Sequence, residues 1–268
     1  MIEADALKPH EQSVAEIVKS LAKEMLNRGE VRDPLIIDKE TYVILDGTHR
    51  FGSLELLKCR FVPCCLVDYQ SPQIKVGSWF RLFLVRQAES LAEELLKEFN
   101  LTYSKQRIQP ALVVTEPRAV LLTEDGIGFY LPEQKNPLKL TETAVLLEKA
   151  MATRGHTAQY SSEAMAWHQF KSRAVNFVIQ LPNFSKKQIR EFGLQHLLLP
   201  HKVTRHVIPS RPLHIDVPLD LLRDTRISQS DADSRLGELL NQKRVETKPA
   251  GSVVDGRMYE EELLVFSH

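Results

Sequence analysis

Apolar and polar positions alternate along the chain in two rhythms. Over residues 13–26, Val14, Ile17, Val18, Leu21, Met25 and Leu26 share one face of a 3.6-residue period, and Gly29 is placed to end the helix. Short apolar runs at 34–38 and 42–45 flank a polar turn and read as strands, followed by a helix around 51–58 and a strand around 62–69. The pattern predicts one long helix over 80–99, with Leu82, Leu84, Leu91, Leu95 and Phe99 among its apolar positions. Strands are expected at 111–114, 119–122 and 128–131, with a hairpin turn at Asp125-Gly126. A helix capped by Thr141 or Thr143 runs through Met151, and Trp167 lies in a helix-like segment as a core residue. A strand at 175–180, helices at 185–192 and 231–244, and a last strand at 262–266 complete the reading. The class is α/β (α+β), with a boundary after residue 78: one domain over 1–78 and a second over 79–268, with the cleft between them.

Within this pattern one segment carries concentrated chemistry. The apolar strand Val43-Ile44-Leu45 runs into Asp46-Gly47-Thr48-His49-Arg50 and then into a helix. A glycine lets backbone approach an anion, and a helix N-terminus offers free N–H groups and a positive dipole end. His49 and Arg50 can donate to phosphate oxygens, and Asp46 can hold a metal ion. The plain alternative is a solvated turn with Asp46 as a cap. No Walker lysine motif and no protein-kinase glycine loop is present, so phosphate binding falls on this turn. Glu11 precedes the first helix, where an acid ordinarily caps. Arg205 suits bidentate pairing with a carboxylate, although a basic surface strand would carry the same residue. His156, His196, His201 and His214 are scattered without metal-ligand spacing.

The Asp-Gly-X-His-Arg turn after an apolar strand resembles the signature of the ParB/sulfiredoxin-like nucleotide-binding fold. Together, Pro9-His10-Glu11-Gln12, the 46–50 turn and Val76-Gly77-Ser78-Trp79 resemble the free L-serine kinases, as does Lys202-Val203-Thr204-Arg205-His206-Val207-Ile208-Pro209 with Arg211 and the 217–222 run. The likeness covers 1–80 and 199–222; between them only the order of elements matches. It implies a ParB/sulfiredoxin-like N-terminal domain packed on a mixed α/β C-terminal domain. It also implies transfer of a phosphoryl group from ATP or ADP, with Mg²⁺, to the hydroxyl of free L-serine, giving O-phospho-L-serine. On that likeness Glu11 is the catalytic base and Asp46 a second catalytic residue and metal ligand. Gly47, Thr48, His49 and Arg50 bind nucleotide phosphate, while Trp79, Thr204, Arg205 and His206 bind serine. The C-terminal pattern leans toward ATP as donor. The alternative is a ParB-type nucleotide-binding regulatory or DNA-associated module; a sulfiredoxin-like reductase is disfavoured because Gly47 is followed by Thr48 rather than cysteine.

Composition narrows the partners. The chain has 268 residues, 35 basic against 35 acidic side chains and 43% hydrophobic content. A zero net charge argues against a protein whose main task is coating nucleic acid. Cys59, Cys64 and Cys65 form no disulfide framework and suit buried thiols in a reducing compartment. Neither a signal peptide nor an apolar run of spanning length is visible, so the expectation is a cytoplasmic protein with no membrane partner. Its expected partners are serine, an adenine nucleotide and a downstream enzyme that uses phosphoserine.

Overall fold

The computed structural model describes residues 1–107, 119–124, 126–131 and 137–268. They form two compact units: one of residues 1–75, 186–198 and 206–268, the other of residues 76–185 and 199–205. The first boundary falls close to the expected one. The expected single domain over 79–268 does not hold, because two later stretches of chain return to the first unit.

In the first unit the central sheet runs Lys8–Pro9, Val43–Asp46, Leu35–Asp38, Cys64–Val67 in spatial order. Leu35–Asp38 pairs antiparallel with Val43–Asp46 and parallel with Cys64–Val67. Leu35, Ile36, Ile37, Val43 and Ile44 are fully buried, which is why both runs are continuous rather than alternating. The helix Ala15–Arg28 ends at Gly29, whose φ of 73° is the left-handed stop expected of it. It buries Ala22 and Met25, while Ile17 and Leu26 stay exposed. The helix Thr48–Leu56 approaches it closely at Gly52, where an added Cβ would lie 3.1 Å from Val18 Cγ2. The helix Lys186–Leu194 lies against the same sheet, and a Cβ at Gly193 would fall 2.6 Å from Val43 Cγ2. Farther on, Arg211–Leu213 pairs parallel with Leu263–Ser267, which pairs antiparallel with Arg244–Lys248. Ser228 and Asp231 form a capping box on the helix Gln229–Asn241.

The second unit is built on an antiparallel sheet. Among the described residues its order is Ser104–Arg107, Ile127–Tyr130, Val120–Thr123, Phe177–Gln180, Phe80–Phe83, Gln159–Ser161. Phe80, Leu82, Val120, Leu122 and Val178 pack with Ala166 and Val175, and Trp167 lies against this core as expected. The long helix expected over 80–99 is instead the strand Phe80–Phe83 followed by the helix Ala88–Glu98. Strands on both sides hold Phe80–Phe83, so burial on both faces overrides the helical spacing. Leu84, counted in the helical pattern, is 68% exposed, and Gln87 turns the chain at φ 51°. The strand expected at 111–114 and Asp125 of the hairpin lie outside the described residues; Gly126 has φ 71°, and the strands flanking it pair antiparallel.

Cys59, Cys64 and Cys65 are free thiols. Burial pushes the Cys64 thiol up to about 12. Among the described residues no helix is long and apolar enough to cross a membrane.

Candidate functional site

The 46–50 turn has the expected backbone. Val43–Asp46 ends the strand, Gly47 adopts φ 103°, and Thr48 opens the helix. That φ favours glycine. Any Cβ there would also sit 2.9 Å from Arg50 Nη2, so the guanidinium folds back over the turn. Thr48, His49 and Arg50 form the first turn of that helix, directly after Gly47.

The side chains of this turn are fixed by charge. Asp46 Oδ2 accepts from Arg50 Nη2 at 3.1 Å and from Arg211 Nη1 at 3.0 Å. Arg211, only 3% exposed, also donates through Nε to Glu261 at 2.7 Å and through Nη2 to the His206 carbonyl at 3.2 Å. Burial opposes the Arg211 charge, but Asp46 and Glu261 outweigh it and hold the guanidinium above the ordinary arginine range. This arrangement places Asp46 between two guanidinium groups. One of its oxygens is shared between two guanidinium groups, and no cluster of three metal-ligating side chains exists among the described residues.

Behind the turn lies a buried aromatic cluster. His10 Nδ1 donates to the Ile44 carbonyl at 2.6 Å, beside half-buried Glu11. The rings of His10 and His206 meet edge-on at 5.8 Å. Tyr69 Oη lies 2.8 Å from His206 Nε2. Burial and then the Asp38 charge raise the Tyr69 phenol well above its usual range, so it stays the donor. His206 also bonds the backbone of Leu45. Burial first, then the neighbouring His10, lowers His206 to about 3, so its ring is neutral.

In the second unit the chain brings Trp79 to Lys202 and Arg205. Lys202 Nζ lies 4.2 Å from the Trp79 ring centroid and Arg205 Cζ lies 5.5 Å from it. Along Thr204–Val207 side chains alternate: Thr204 and His206 are buried, Arg205 half-buried. Strand geometry therefore divides the three residues between two faces. Arg205 points to the face opposite Thr204 and His206, and His206 is engaged by Tyr69.

Sequence reasoning missed Glu261 and Tyr69, and took Arg211 only as part of a likeness. Glu261 lies in the run Glu260-Glu261-Glu262, which reads as a solvated acidic patch. A signal was present: Glu261 is in phase with Leu263 and Val265, and all three are buried.

No family model matches the chain. It is 28% identical over 233 residues to the ADP-dependent L-serine kinase SerK of Thermococcus kodakarensis, covering 82% of this chain and 91% of that protein. A mutant free serine kinase solved in complex with ADP superposes with a TM-score of 0.70 at 24% identity, over 82% of this chain and 92% of that one. SbnI of Staphylococcus aureus, solved with a C-terminal truncation, gives 0.71 at 18% identity over 90% and 95% of the two chains. In sequence and in its mixed α/β fold, this chain is a relative of the free L-serine kinases.

Proposed function

We propose that this protein is a free L-serine kinase that transfers a phosphoryl group from ATP or ADP to the serine hydroxyl. The observation that carries the reading is the strand–Gly47–helix turn over Gly47–Arg50, in a chain whose similarity to an L-serine kinase covers 82% of its own length and 91% of that protein. The Thr48, His49 and Arg50 amides and the Arg50 guanidinium hold the nucleotide phosphates. Arg205 takes the serine carboxylate, with Trp79 as the wall beside it. Glu11 accepts the hydroxyl proton as the serine oxygen attacks the terminal phosphorus and the nucleotide leaves. Asp46 orients Arg50 and Arg211, and His206 supports the turn from behind. Mg²⁺ enters with the nucleotide as counter-ion to its phosphates. The free thiols suit a reducing compartment, and we place the reaction in the cytoplasm, upstream of a phosphoserine-using enzyme.

The test is incubation with L-serine, Mg²⁺ and either nucleotide, with phosphoserine read by mass spectrometry. Titrating both donors at fixed serine decides between ATP, which the sequence pattern favours, and ADP. Absence of phosphoserine with either donor refutes the kinase; a salt-sensitive DNA shift in that case supports a ParB-type module instead.

A further inference from the structure

Arg81 is fully buried in the middle of the strand Phe80–Phe83, where an apolar residue would be ordinary. Its guanidinium is committed in three directions. Nε donates to Glu148 Oε2 at 2.9 Å, and Nη1 donates to the carbonyls of Trp79 and Lys202, both at 2.9 Å. Those two carbonyls belong to the two residues that meet at the Trp79 ring. Glu148 is held in turn: the Tyr160 hydroxyl donates to its other oxygen, and Tyr160 lies 3.3 Å from His201 Nε2. The Tyr160 ring also faces the guanidinium at 5.4 Å. Lys202 sits at φ 59°, a backbone position that a lysine holds only where its surroundings fix it, and the Trp79 amide bonds the Val203 carbonyl.

A buried arginine is an expensive way to fill a strand, and a hydrophobic side chain of similar volume would stabilise as well or better. What a hydrophobic replacement cannot do is bond the Trp79 carbonyl and, 121 positions along the chain from Arg81, the Lys202 carbonyl. We propose that Arg81, anchored by Glu148 and Tyr160, is a positioning residue for substrate recognition: it sets the spacing between Trp79 and the Lys202–Arg205 segment and thereby aims Arg205 at the serine carboxylate. This rests on the assignment of Trp79 and Arg205 to serine. Arg81 touches no substrate. Its effect passes through the backbone of Trp79 and Lys202.

The test uses Arg81→Met, Glu148→Ala and the milder Glu148→Gln, with serine and nucleotide kinetics measured separately. A second readout, independent of turnover, is acrylamide quenching of Trp79 in a Trp167→Phe background. Arg81→Met and Glu148→Ala should each raise the serine KM by about 10–100-fold, the scale expected for misplacing a positioning group. The nucleotide KM should stay within about twofold, because only the serine anchor has moved. Trp79 should become more quenchable, and the two substitutions combined should cost little more than either alone. Glu148→Gln, which keeps an acceptor for Nε, should restore most of the serine affinity. If both KM values rise together, or if Trp79 quenching is unchanged in folded variants, the positioning role is refuted. If the unsubstituted protein makes no phosphoserine, the kinase reading fails on its own, and the Trp79 measurement alone decides whether Arg81 fixes this segment.

Discussion

Replacing Arg211 with methionine tests the electrostatic frame of the 46–50 turn. The guanidinium joins Glu261 at 2.7 Å, Asp46 at 3.0 Å and the His206 carbonyl at 3.2 Å. The two carboxylates differ in what they lose. Asp46 is 32% exposed and keeps Arg50, so its share is that of an exposed pair, at most about 1 kcal/mol. Glu261 is 4% exposed and would be left buried without its counter-charge, a situation that costs about 3–5 kcal/mol. The deficit should therefore come mainly from Glu261, and Arg211→Met should lower the melting temperature by roughly 6–20 °C. The decisive measurement is a double-mutant cycle by urea unfolding. Arg211→Met with Glu261→Leu removes both buried charges and should recover about 2–3 kcal/mol relative to the sum of the single changes. A loss below about 1 kcal/mol in Arg211→Met, or strict additivity in the cycle, would show that the buried pair does not carry the frame.

Four further outcomes follow from the same geometry. His206 titrates at about 3 in the folded protein against 6.5 unfolded, so the unfolded chain binds the extra proton between those values; stability should fall by roughly 2–3 kcal/mol from pH 6.5 to 4.5, and His206→Gln should flatten that slope in urea midpoints taken against pH. Glu11→Gln should reduce phosphoserine turnover by about 10²–10⁴ while nucleotide binding persists; near-normal turnover in the folded variant removes Glu11 from the mechanism. Arg205→Ala should raise the serine KM far more than the nucleotide KM, and Arg50→Ala should do the reverse; an unchanged serine KM with weakened nucleotide binding in Arg205→Ala would overturn the assignment of the two anchors. Gly193→Ala forces a Cβ to within 2.6 Å of Val43 and should cost about 1–3 kcal/mol in thermal unfolding, relieved when Val43→Ala is added; no loss would mean that the helix Lys186–Leu194 can move off the sheet without penalty.

The sequence alone determined the local elements whose signals sit within a few residues. The strand, glycine and helix of the 43–56 turn were legible because an apolar run, a positive-φ glycine and a helical pattern follow one another directly. The end of the first helix at Gly29 was legible for the same reason. Tertiary structure decided everything that depends on what lies across the fold. Phe80–Phe83 became a strand because neighbours on both sides bury it, which no local period records. Residues 186–198 and 206–268 joined the first unit because Gly193 lets a helix close on Val43 and Arg211 finds Asp46 and Glu261, contacts that span between 50 and 165 positions along the chain for the arginine. Asp46 became the acceptor of two guanidinium groups on the same ground. A carboxylate's chemistry is set by the charges that folding brings to it, and those charges lie far away in sequence.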